Sequence, residues 1–376
     1  MIKKPSASLL LFILLLVDSP SKAVQMSTRT FNPEEIKVQM SVDVDIVYHV
    51  LAHFVVPGDP SNLYSEQYVA EIQQAKKDLE IGLTKLDQYR KSMEAVYQQH
   101  SRLRFLNLAL FMADDFSSFK QALLKVDIQL PPEEGVGNKE TLEERRMRDS
   151  QLGLMFGNTR RLVPLFQKRF PDPAERQFVK LFAECLEDEY GNFYKVYREA
   201  RTELEDSKFE KFMLVWKSRG LDMVRPWAAR SGVNVFNIYL SEVLRNNGRG
   251  IPVNEDQRVI FNVVAPLPET QDQQEKTLFV ILHETTHRLT DQAVESVQST
   301  PEVEINRACE NAVFFADLLY LKNRYPSLQG KYMQFFLNLP TEKPIDVSAL
   351  EGQFRSTYPL SPTLQSRIEQ LVRSLS

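Results

Sequence analysis

The sequence predicts an α+β protein that is predominantly helical, with a small sheet confined to its C-terminal part. Three observations carry this expectation. Apolar residues recur at steps of three and four over long stretches before residue 225, two short Val/Ile/Phe/Tyr-rich runs follow, and two apolar helical stretches come after them. The expected organisation is a leader over residues 1–23, a mostly helical region over 24–228 and an α+β region over 229–376.

The leader has the layout of a secretory signal peptide. Lys3 and Lys4 precede an unbroken apolar run at 9–17, Pro20 breaks it, and Ser21-Lys22-Ala23 supplies the small residues of a cleavage site after Ala23. Nine apolar residues fall well short of the ~20 needed to cross a bilayer. The expected protein is therefore secreted or periplasmic, with no stable membrane insertion once the leader is removed.

Residues 38–56 are compatible with a strand or a short buried helix. Asp43 and Asp45 alternate with valines, which favours extended structure at the start. Residues 65–100 read as one long amphipathic helix, through Ile72, Leu79, Leu83, Leu86 and Met93, and 103–126 as a second. The charged stretch 131–149 reads as a loop leading into a solvated helix. Asp172 as N-cap and Pro173 at the first helical position open another helix. Residues 233–240 and 258–264 read as strands joined through the turn-prone 246–250 stretch. Helices are expected from about 277 to 290 and from Thr300-Pro301 to about 325.

Composition excludes some functions. Lys plus Arg total 46 against 50 Asp plus Glu, a net charge of −4, so the chain lacks the basic footprint of a nucleic-acid binder. Two cysteines, Cys185 and Cys309, exclude a disulfide scaffold.

Chemistry concentrates in His283-Glu284-Thr285-Thr286-His287. Two histidines four apart lie one turn apart on one helix face, so both imidazoles can reach one metal ion. The glutamate between them is placed to take a proton from a metal-activated water rather than to bind the metal. The apolar run Leu278 to Leu282 makes the approach a buried helix, and a strand pair lies just upstream.

At these residues, over roughly 230–330, the chain resembles the zincin superfamily of zinc metallopeptidases, although Arg288 stands where an uncharged residue usually follows the second histidine. The metzincin clan would require Gly at 290 and His at 293, and these are Thr290 and Ala293. The gluzincin arrangement instead takes its third ligand from a Glu on the next helix. Glu302, Glu304 and Glu310 are the candidates. Glu310 is favoured because it sits among Ala308, Ala312, Val313 and Phe315, where an unpaired carboxylate is costly, with Glu304 as the alternative. Val313 and Phe314 depart from the small and acidic residues usual at those gluzincin positions. Asp291 is placed to orient His287, and Asn306 and Asp317 share the face of Glu310.

The expectation is thus a zinc peptidase holding Zn2+ through His283, His287 and Glu310, with Glu284 as general base and a peptide or protein as substrate. Tyr358, Tyr320 and His53 are candidates for stabilising the oxyanion; His49 and His53 are otherwise a packed pair. The rival expectation is a secreted helical binding protein with a structural or vestigial zinc site.

Overall fold

The computed structural model describes residues 36–55, 63–128, 159, 161–255, 258–297, 302–340 and 346–375. The leader and the charged stretch 131–149 lie outside the described residues. The chain divides into two compact units, one of residues 41–203 and one of 1–40 with 204–376. The boundary expected near 228 is therefore displaced. The N-terminal segment joins the second unit through a strand pairing across the chain: β1 (Ile36–Gln39) runs parallel to β2 (Val235–Ser241), with Ile36 opposite Phe236. Everything between the two strands is one long crossover.

The first unit is helical. Its central helix, α1 (Val42–Ala52), is buried at every position from Val44 to Ala52. The extended start expected from Asp43 and Asp45 is not found. The Ser41 hydroxyl accepts from the Val44 N–H at 3.4 Å, and both acids sit in the first turn, where the helix dipole favours them.

The single helix expected over 65–100 is two, α2 (Glu66–Asp78) and α3 (Lys85–Gln99). The break lies at Glu80, whose φ of 52° reverses the chain. Thr84 then opens α3 with a capping box to Asp87. The helix expected over 103–126 is likewise short helical turns around α4 (Leu106–Ala109) followed by α5 (Phe116–Leu124), which Asp115 caps. After α6 (Leu162–Arg169), Asp172 and Pro173 open α7 (Pro173–Glu189) as expected. A widened π-turn at Tyr190–Tyr194 leads into α8 (Lys195–Val215).

A buried polar cluster ties α1, α2 and α7 together. The Glu189 carboxylate meets His49 Nε2 at 3.1 Å and Lys76 Nζ at 2.8 Å, and the Tyr68 hydroxyl meets His49 Nδ1 at 2.8 Å. Burial raises the Glu189 pKa, but the His49 hydrogen bond and the Lys76 charge overcome it and hold the carboxyl at about 2.

The second unit contains the sheet, in the order β1-β2-β4-β3, with β3 (Arg249–Glu255) and β4 (Arg258–Pro266) antiparallel and the other pairs parallel. Where a turn is expected over 246–250, β3 instead begins at Arg249. Gly248, Gly250 and Pro252 hide this strand, and an edge position is what tolerates a proline. Around the sheet lie α9 (Leu221–Arg230), α10 (Gln271–Glu295), α11 (Glu302–Arg324), α12 (Pro326–Phe336), α13 (Val347–Thr357) and α14 (Pro362–Arg373). Among the described residues no helix is long and apolar enough to cross a membrane.

The five-residue run Leu278 to Leu282 is buried on all sides because α10 lies between two cores. Leu278, Val280 and Ile281 pack with Phe236, Ile238, Phe261 and Val263 of the sheet. Phe279, Leu282 and Leu289 pack with Ala312 and Phe315 of α11. A helix apolar on both faces is one enclosed by two layers.

Candidate metal centre

Thr270 starts α10 with a capping box to Gln273, and the helix then presents His283 and His287 one turn apart. Their ring centroids are 4.9 Å apart with the planes at 87°. Glu310, on α11, reaches both: Oε2 lies 3.2 Å from His283 Nε2 and Oε1 lies 3.7 Å from His287 Nε2. One donor atom from each residue falls within 4.8 Å of the others. Ligands at ~2.0–2.1 Å on the corners of a tetrahedron stand about 3.3 Å apart, so this group can hold a metal ion.

The electrostatics favour a cation. Burial lowers the His287 pKa, but Asp291, Glu310 and Glu284 surround the ring with negative charge and push it up to about 10. Burial likewise raises Glu310, and the two imidazoles and the Arg249 charge pull it down to about 2. A field that holds a proton on a buried imidazole also attracts a divalent ion.

Each histidine has a carboxylate behind it. His287 Nδ1 meets Asp291 Oδ1 at 3.1 Å, as the sequence suggested. Asp317, expected beside Glu310, instead faces His283, with Oδ2 3.7 Å from Nδ1, a charge contact rather than a hydrogen bond. It accepts from the Thr286 hydroxyl at 2.6 Å and from the Tyr332 hydroxyl at 2.7 Å. Burial pushes Asp317 up to about 6, against the His283 charge and those two donors. Phe314 packs its ring 4.7 Å from that of His283. Asn306 is buried and is not part of the donor group.

Glu284 stands apart from the three converging donors and is half-buried. It lies beneath the start of β3. A Cβ added to Gly250 would sit 3.3 Å from Glu284 Oε2, and one added to Gly248 would sit 3.1 Å from Glu284 Cγ. Only glycine lets the strand approach this closely.

Glu304 is exposed and outside the donor group, and the Glu302 side chain lies outside the described residues. Of the oxyanion candidates, Tyr358 donates its hydroxyl to the Phe336 carbonyl at 3.0 Å, and burial lifts its pKa to about 12. Tyr320 packs on Trp227 and Tyr325. His53 belongs to the helical unit, its ring against His49. Both cysteines are buried and free.

The sequence points to Asp317 but not to its two donors, Thr286 and Tyr332. A carboxylate inside an apolar helix needs such partners, and Asp317 is fully buried. None of the family models, curated proteins or solved structures compared with the chain matches it.

Proposed function

We propose that this chain is an exported zinc-dependent metallopeptidase, zincin-type and gluzincin-like in its ligand set. The observation that carries the reading is the convergence of His283, His287 and Glu310, with Glu284 beside them and not among them. Two imidazoles and one carboxylate form a three-ligand set of the kind that leaves zinc a fourth, open position. A bound zinc ion supplies Lewis acidity, which makes a water nucleophilic near neutral pH and polarises a carbonyl.

The chain's own groups do the rest. Glu284 accepts a proton as the water oxygen bonds to the peptide carbonyl carbon. It then delivers that proton to the amide nitrogen as the C–N bond breaks, so one water is consumed and an acid and an amine leave. Asp291 holds the His287 ring, and Asp317 faces that of His283. The outer edge of β3 pairs with no strand among the described residues. An extended peptide can add to such an edge through main-chain hydrogen bonds, beside Glu284. Export rests on the leader composition at residues 1–23.

The test is zinc content together with hydrolysis of a peptide library, for the wild type and Glu284→Gln. The expected result is one zinc per chain in both, with hydrolysis reduced about 10²–10⁴-fold in the variant. Equal hydrolysis by both proteins overturns the mechanism. One observation favours the rival reading of a helical binding protein with a structural zinc: the Tyr358 hydroxyl is engaged by the Phe336 carbonyl. Zinc binding without hydrolysis of any peptide would establish that rival.

A further inference from the structure

The two imidazoles of the donor group are oriented by different means. Asp291 stands one turn from His287 on the same helix and is partly exposed, so local geometry alone brings it to His287 Nδ1. His283 Nδ1 is buried without a hydrogen bond, and it faces Asp317 Oδ2 of α11, 3.7 Å away. The His283 ring packs on Phe314 and Phe336 at centroid distances of 4.7 and 5.1 Å. Phenyl rings can hold the plane of an imidazole, but they offer neither nitrogen a hydrogen-bond acceptor. Which edge of the His283 ring turns to the donor group is therefore set by charge, with Glu310 Oε2 3.2 Å from Nε2 and Asp317 on the Nδ1 side.

Asp317 can set that edge only if its own direction is fixed. The Thr286 hydroxyl, from α10, closes on Oδ1 at 2.6 Å, and the Tyr332 hydroxyl, from α12, closes on Oδ2 at 2.7 Å. All three residues are fully buried. The Tyr332 ring is held in turn by Phe279, Phe336 and Phe354, at centroid distances of 5.4, 4.7 and 6.0 Å. The oxygen that accepts from Tyr332 is the one that faces His283 Nδ1. A hydroxyl on a third helix thus places the charge behind a candidate ligand.

We infer that Tyr332 is a positioning residue for metal binding: acting with Thr286 through Asp317, it keeps Nε2 of His283 turned to the donor group. This makes α12 part of the metal centre, although none of its side chains joins the donor set. The inference rests on His283 as a metal ligand and not on peptidase activity.

The test is zinc affinity of the full chain, measured by competition with a chromophoric chelator. Tyr332→Phe keeps the ring and its aromatic contacts and removes only the hydroxyl. It is expected to weaken zinc binding roughly 10-fold, the lower end of the effect of groups behind a ligating histidine. Thr286→Val should act in the same direction, and Thr286→Ser, which keeps the hydroxyl, should restore the affinity. Phe354→Leu loosens the same core without removing a donor to Asp317. It should lower the urea unfolding midpoint and leave zinc affinity unchanged. A zinc loss in Phe354→Leu as large as in Tyr332→Phe would assign the effect to packing and overturn the inference.

A double-mutant cycle decides whether Tyr332 acts through Asp317. Adding Tyr332→Phe to Asp317→Asn should weaken zinc binding no further, and full additivity overturns the inference. If Asp317→Asn does not fold, the Thr286 pair decides: equal affinity of the Val and Ser variants overturns it. Cobalt(II) loading adds a spectroscopic readout, because a change in the His283 ring shifts the visible bands of the ion. Wild-type bands and wild-type zinc affinity in Tyr332→Phe overturn the inference and leave the donor set standing. A wild type that binds neither zinc nor cobalt instead refutes the metal centre itself, and this inference with it.

Discussion

The imidazole of His287 and the carboxylate of Asp291, one turn apart on α10, meet at 3.1 Å between Nδ1 and Oδ1. This contact leaves His287 Nε2 directed to Glu310, 3.7 Å away. A carboxylate behind a ligating histidine fixes its tautomer and orientation and raises its basicity.

Removing that contact should weaken the metal site without abolishing it. Asp291→Asn is expected to lower zinc affinity about 10–100-fold. Competition against a chromophoric chelator measures the change. Affinity equal to the wild type would mean that the His287 orientation is set by packing alone.

The two candidate third ligands give opposite outcomes. Glu310→Ala leaves only two imidazoles and is expected to lose bound zinc on dialysis. Glu304 is exposed and outside the donor group, so Glu304→Ala should retain a full complement by elemental analysis. Zinc loss in the Glu304 variant would transfer the ligand role.

Gly250 is a steric requirement. A Cβ there would lie 2.8 Å from the Phe261 ring and 3.0 Å from the Glu284 backbone oxygen, whereas one at Gly82 would meet nothing within 4 Å. Gly250→Ala is expected to cost about 1–3 kcal/mol of stability through overpacking. Gly82→Ala, a surface change, should stay within roughly 0.5 kcal/mol of the wild type. Urea unfolding midpoints compare the pair, and equal midpoints would refute the close packing of β3 on α10.

The helical unit should lose stability in acid in two stages. Burial, with the charges of His49, Lys76 and Arg90, lowers the His53 pKa well below 6.5, against the opposing pull of Glu189. The unfolded chain therefore binds a proton that the folded one refuses, and stability falls as pH drops below 6.5. Glu189, held at about 2 rather than 4.5, adds a loss of the same sign as pH falls through 4.5. The slope from one such group approaches about 1.4 kcal/mol per pH unit. Unfolding midpoints between pH 7.5 and 5 should decline for the wild type and flatten for His53→Phe. A wild-type midpoint that does not change over that range would contradict the buried, neutral His53.

Much of the site was legible because its signals are local. The His283–His287 spacing, the Asp172-Pro173 helix start and the apolar run before the motif depend on residues within one or two helical turns. The same local reasoning failed at 65–100, where a continuous apolar period conceals the Thr84 cap, and at Arg249–Glu255, where glycines and a proline conceal an edge strand. The identities and spacing of the candidate metal donors, the predominance of helix and two of the four strands, near 235–240 and 258–264, were determined by the sequence alone. The pairing of Ile36 with Phe236, the transfer of Asp317 from Glu310 to His283 and the position of β3 over Glu284 were decided only by the tertiary structure. Strand pairing and side-chain contact between distant segments arise from backbone hydrogen bonding and packing, and neither leaves a mark in the spacing of nearby residues.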